Sequence, residues 1–209
     1  MKQKNIFQII AFALLLSVVI ISCNSKKVEN LNVTNARIDA LIVNGQMNGS
    51  HDDTQSSPML EKMLELTGEF KVEVATSPKK GSDMNSYKPQ FSDYDVVILD
   101  YDGDEWSEET KTNFVDYVKN GGGVVVFHSA DNAFANWKEF NEIIGLGGWN
   151  GRNEKHGDYV YWENGGMTRS DTVGPGGHHG SQTPVLIETR NVDHPIMKGL
   201  PSSWMAILS

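Results

Sequence analysis

A doubly wound α/β domain on a mostly parallel sheet is the fold this sequence predicts, and three observations predict it. Residues 38–43, 95–99 and 124–127 are almost wholly apolar runs without alternation, as strands buried on both faces must be. Segments with helical spacing of apolar residues separate them. Polar residues follow each run, which suits a ligand crevice at the carboxyl edge of an open sheet.

The first segment lies outside that fold. Lys2 and Lys4 precede an apolar run over residues 9–21, broken only by Ser17 and too short for a comfortable membrane span. It ends Ile20-Ile21-Ser22-Cys23, which resembles a bacterial lipobox. Residues 1–22 are therefore expected to be a lipoprotein signal peptide, with Cys23 the acylation site and membrane anchor. Residues 23–36 are polar and aperiodic, a tether. Asn24-Ser25-Lys26-Lys27 is not acidic, which favours a periplasm-facing, lipid-anchored envelope protein.

The domain is expected over residues 37–209. Residues 38–43 form the first strand and end in Asn44-Gly45. Ser57 as cap and Pro58 as first helical residue predict a helix with Leu60, Met63, Leu64 and Thr67 on its inner stripe and Gly68 at its end. Residues 70–75 read as a strand, and residues 95–99 (DVVIL) as another. Ser107 caps the next helix, with Glu108 and Glu109 in its first turn and Phe114, Val115 and Val118 facing inward. Gly121-Gly122-Gly123 stops it before the strand over residues 124–127, and residues 137–144 suit a third helix. Residues 145–180 then hold over half of the chain's 20 glycines, a loop composition with one strand expected over residues 159–162. A last strand is expected over residues 183–189, and a turn at Leu200-Pro201.

With 18 Lys and Arg against 27 Asp and Glu, the net charge of −9 argues against nucleic acid as a partner. The lone Cys excludes an internal disulfide and any Cys-based metal cluster. With Cys23 at the membrane, the folded body carries no thiol.

Candidate chemistry gathers at strand ends: Asn44, Gln46 and Asn48, then His51; Asp100, Asp102 and Asp104; His128 and Ser129. His128, directly after an apolar strand, suits an acid, a base, a neutral metal ligand or a hydrogen-bonded structural imidazole. His178 and His179 sit in the Gly-rich GPGGHHGS loop. No spacing gives a strong metal signature, so a divalent site, zinc for example, would need long-range assembly of His51, His128 and His178. Ser129 lacks the G-x-S-x-G context of a nucleophile elbow. Trp149, Trp162, Tyr159 and Tyr161 suit either stacking on sugar faces or packing under a loop.

Taken in order, the first strand with Asn44-Gly45 and His51, GGGVVVFHSA (residues 121–130), WKEFNEIIGLGGW (137–149), GGHHGS (176–181) and NVDHPIMKGLP (191–201) resemble the ThuA-like, or trehalose-utilisation, family. The resemblance implies a flavodoxin-like sheet akin to class I glutamine amidotransferases. It implies a carbohydrate as small-molecule partner: a glycoside, a disaccharide or its 3-keto derivative. It also places the family's recurring histidines at His51, His128 and one of His178 or His179. On this basis His128 is the expected catalytic residue. Asn44, Asp100, Trp149 and His179 are expected at the sugar, and His51, His128 and His178 at any metal. Relatives continue past the tryptophan matched by Trp204, so a short or truncated variant is also expected. The readings to separate are an envelope hydrolase or lyase, a non-catalytic sugar-binding lipoprotein, and an inactive fragment.

Overall fold

A computed structural model describes residues 37–47, 51–145, 151–176 and 183–206. Its centre is a four-stranded parallel sheet in the order β2-β1-β3-β4. The strands are β1 (Ile38–Gly45), β2 (Phe70–Thr76), β3 (Val96–Tyr101) and β4 (Gly123–Val126). β1 lies between β2 and β3, with Ala40 opposite both Val72 and Val96 and Asn44 opposite Thr76 and Asp100. The chain thus leaves β1 toward one edge and returns at β3 toward the other. That reversal makes a switch point between the carboxyl ends of β1 and β3, where open sheets of this order hold ligands.

Alternate side chains of the sheet feed two cores. Ala40, Ile42, Val72 and Ile98 face α1 (Asp53–Glu65), against Leu60 and Leu64. Leu41, Val43, Val97, Leu99 and Tyr101 face α2 (Glu108–Lys119) and α3 (Lys138–Ile144). There Phe91, Trp106, Phe114, Phe134, Trp137 and Phe140 join them, most ring pairs meeting edge-on or tilted, the arrangement aromatic quadrupoles favour. One helix layer per face is what doubly wound means, so the fold class read from the sequence holds.

Three local readings change. α1 begins at Asp53, capped by Asp52, whose carboxylate accepts from the Thr54 amide at 3.0 Å. Asp is at least as good a cap as Ser, and an earlier start adds a turn. Pro58 therefore sits inside the helix, and Ser57 is buried at 1% exposure. The inner stripe is Ser57, Leu60 and Leu64; Met63 is exposed at 59%. On α2 the buried positions are Thr110, Phe114 and Tyr117, with Val115 and Val118 partly covered. Gly123 belongs to β4, and the close approach falls at Gly122, where a Cβ would collide with the Tyr117 ring.

The glycine-rich stretch is more structured than its composition suggests. β5 (Tyr159–Glu163) and β6 (Gly166–Ser170) form an antiparallel hairpin. β7 (Val185–Glu188) pairs antiparallel with β8 (Ser203–Ala206), not with the main sheet. Among the described residues no helix is long and apolar enough to cross a membrane.

Candidate functional site

The site is built from the ends of three neighbouring strands. Asn44, next to the last residue of β1, is 7% exposed, and among the described residues its Oδ1 has no hydrogen-bond partner. Burying an amide oxygen unpaired is costly, so a native structure that does so usually reserves it for a ligand or water. Gly45 follows at φ +127, a backbone conformation open to glycine, and a Cβ there would strike the Ser77 hydroxyl. Gln46 then ties three loops together. Its Nε2 donates to the Pro78 carbonyl at 2.7 Å, and its Oε1 accepts from the Asp104 amide at 2.8 Å. Gln46 thus joins the end of β1 to the segments that follow β2 and β3.

Asp100 at the end of β3 is 1% exposed. Its Oδ2 accepts from Ser56 Oγ at 2.7 Å and Ser57 Oγ at 2.6 Å. Hydroxyl-to-carboxylate bonds of this length are charge-assisted, and they pin the first turns of α1 to the sheet edge. That turn carries His51 just ahead of its cap.

His128 follows β4 and opens a short 3-10 turn, His128–Asn132, with φ +47. A non-glycine residue in the left-handed region stores strain that its surroundings must hold, and such residues cluster at functional sites. The His51 and His128 rings meet edge to face, centroids 4.7 Å apart at 77°. Contacts from Met47 and Arg152 help to hold the turn. Ser129 Oγ donates to Met47 Sδ at 3.3 Å. Arg152 is 4% exposed and donates from Nε to Asn141 Oδ1 at 2.9 Å, from Nη1 to the Asn132 carbonyl at 3.1 Å and from Nη2 to the Ala133 carbonyl at 2.7 Å. Burial lowers the Arg152 pKa, while Asp131 and Asp102 oppose that shift. Burial likewise raises the Asp131 pKa, against the pull of Arg152 and His128.

The structure brings His51, His128, Asn44 and Asp100 to one edge of the sheet. Trp149, His178, His179 and Cys23 lie outside the described residues. Among the described residues no three His, Cys, Asp or Glu side chains gather as metal donors. The His51–His128 pair offers two imidazoles whose donor chemistry suits a divalent cation such as zinc. His156 pairs with Asn153, and His194 caps its own turn. Arg152 is the residue sequence reasoning missed; its partners lie 11 to 20 positions away, so no local pattern announces it.

Fold and site define an α/β protein of flavodoxin-like strand order, with the His51 and His128 imidazoles and the Asn44 amide at the switch-point edge of its sheet. A family model described as ThuA, trehalose utilisation, matches residues 39–207, and the chain belongs to that carbohydrate-linked family. A ThuA-like protein of Parabacteroides merdae shares 47% identity at a TM-score of 0.76, covering 81% of this chain. A ThuA-like protein of Bacteroides uniformis has the same fold at 24% identity and a TM-score of 0.55, covering 83% of this chain. The chain spans 60% of the first of these proteins and 59% of the second. Comparison with curated proteins gives no match.

Proposed function

We propose that this chain binds a neutral sugar in the switch-point crevice and acts on it as a hydrolase or lyase of glycosides, disaccharides or their 3-keto derivatives. The observation that carries the proposal is the paired rings of His51 and His128 at the sheet edge where, among the described residues, Asn44 Oδ1 is buried without a donor. A sugar hydroxyl supplies the missing donor, and an imidazole is the side chain best matched to moving protons near neutral pH.

In a 3-keto glycoside the carbonyl acidifies the hydrogen on the adjacent carbon. His128 takes that proton. The electron pair forms the enolate, then expels the glycosidic oxygen, which leaves as an alcohol once protonated. The products are an unsaturated keto-sugar and the alcohol, with no net oxidation. Asp100 holds α1, and through it His51, against the edge. Trp149 and His179 are further sugar contacts in this reading. A divalent metal, held by His51 and His128 with His178, would polarise the carbonyl. An anchor at Cys23 would keep the protein on the periplasmic side of the envelope, and Cys23→Ala would then release it to the soluble fraction.

Incubation with 3-keto-trehalose, with and without added zinc, tests the reading by product mass and proton NMR. The expected result is turnover that falls by at least about 100-fold in His128→Ala. No turnover of 3-keto-trehalose in either condition would overturn the catalytic part.

A further inference from the structure

The β5–β6 hairpin carries a second feature that the crevice does not use. Residues alternate across it, so Tyr159 and Tyr161 share a face with their partners Ser170 and Thr168. Trp162 and Met167 are on the other face, where the Arg190 guanidinium lies 5.4 Å from the Trp162 ring centroid. Arg190 covers part of the Trp162 ring, which is still 46% exposed, and Met167 beside it is 63% exposed. Tyr161 is 49% exposed.

Beside the tyrosines, residues 172–176 line an open depression of about 320 Å³. Its wall is fixed. The Tyr159 hydroxyl donates to the Gly174 and Pro175 carbonyls, the Gly174 amide donates to Glu154 Oε2 at 3.2 Å, and the Gly176 amide donates to the Arg152 carbonyl at 2.6 Å. Among the described residues that line it, Tyr159, Tyr161, Thr172, Val173 and the 174–176 backbone, none is charged. An open depression of this size suits one face of a small ligand rather than its enclosure. Two ring faces, a threonine hydroxyl and backbone carbonyls, without charge, suit one that is neutral, has an apolar face and carries hydroxyls on its edges.

We infer that this depression is a separate carbohydrate site in which a pyranose ring stacks on Tyr161 and bonds by its hydroxyls to Thr172 and the 174–176 backbone. It goes beyond the crevice reading and stands without it. The ring acts as a platform because C–H groups on one sugar face meet the aromatic quadrupole, while the equatorial hydroxyls stay free to bond at the rim.

Trehalose and maltose titrated into the ¹⁵N-labelled full chain, followed by amide shifts, test it. Amides of residues 159–176 should shift saturably. Tyr161→Ala should weaken that response about ten-fold, and Tyr161→Phe should stay within about two-fold of the parent. Tyr161 is exposed, and an unchanged far-UV spectrum checks that the hairpin persists. Hairpin amides that ignore both sugars, or that respond equally in Tyr161→Ala, would overturn the inference. Hairpin shifts without shifts at Asn44, Gly45 or His128 would sink the crevice reading and leave this one standing. The reverse pattern would do the opposite.

Discussion

Replacing Arg152 with Met keeps the buried aliphatic volume and removes the guanidinium. Three acceptors then lose their donor: Asn141 Oδ1, the Asn132 carbonyl and the Ala133 carbonyl. Hydrogen bonds from a charged donor contribute about 1.5–3 kcal/mol each, and stranding buried acceptors costs a similar amount. Against this, the cation no longer has to be desolvated, a cost visible in its lowered pKa. The balance is a loss of about 3 kcal/mol, or a fall in Tm of about 6–12 °C for a domain of this size. Arg152→Lys keeps the charge without the planar fork and should lose about half as much. Thermal unfolding by circular dichroism gives the Tm values. In the same samples the His128 ring protons should move, because the carbonyls released belong to the turn that holds its φ of +47. A Tm within about 2 °C of the parent together with unmoved His128 signals would refute the clamp.

Asp100→Ala strands the Ser57 hydroxyl and should cost about 2–4 kcal/mol in urea unfolding. An unchanged midpoint would show that the serines do not anchor α1. Burial raises the Asp131 pKa above its ordinary value of 3.8 in the folded chain, so between that value and the raised one the folded state binds more protons than the unfolded one. Its contribution is present in full below pH 3.8 and is lost as pH rises through the raised pKa. Asp131→Asn should therefore have the higher Tm at pH 7, with the gap closing near pH 4; the opposite trend would contradict the assignment.

The central strands were legible because a strand buried on both faces must be apolar throughout, whatever it pairs with. The edge carrying the site was legible too, since Asn44, Asp100 and His128 directly follow such runs. What the polar residues do there was not. Asp100 looks like any carboxylate at a strand end until Ser56 and Ser57 arrive from 44 and 43 residues earlier. The start of α1 was misplaced because Ser57-Pro58 is a strong local signal, yet Asp52 caps one turn earlier and frees Ser57 for Asp100. β6 (GMTRS) carries no apolar run of its own and exists only through its pairing with β5. Arg152 was invisible for the same reason: its role lies in carbonyls contributed by a distant turn.

The central claim is that the switch-point crevice holds a neutral sugar between Asn44 and the His51–His128 pair. Trehalose titrated into the full chain with ¹³C-labelled histidine and ¹⁵N-labelled asparagine tests this directly. The account predicts saturable shifts of the His51 and His128 rings and of the Asn44 side chain with one shared affinity, weakened about ten-fold or more in Asn44→Ala. Ring and amide signals that stay fixed through the titration would contradict it.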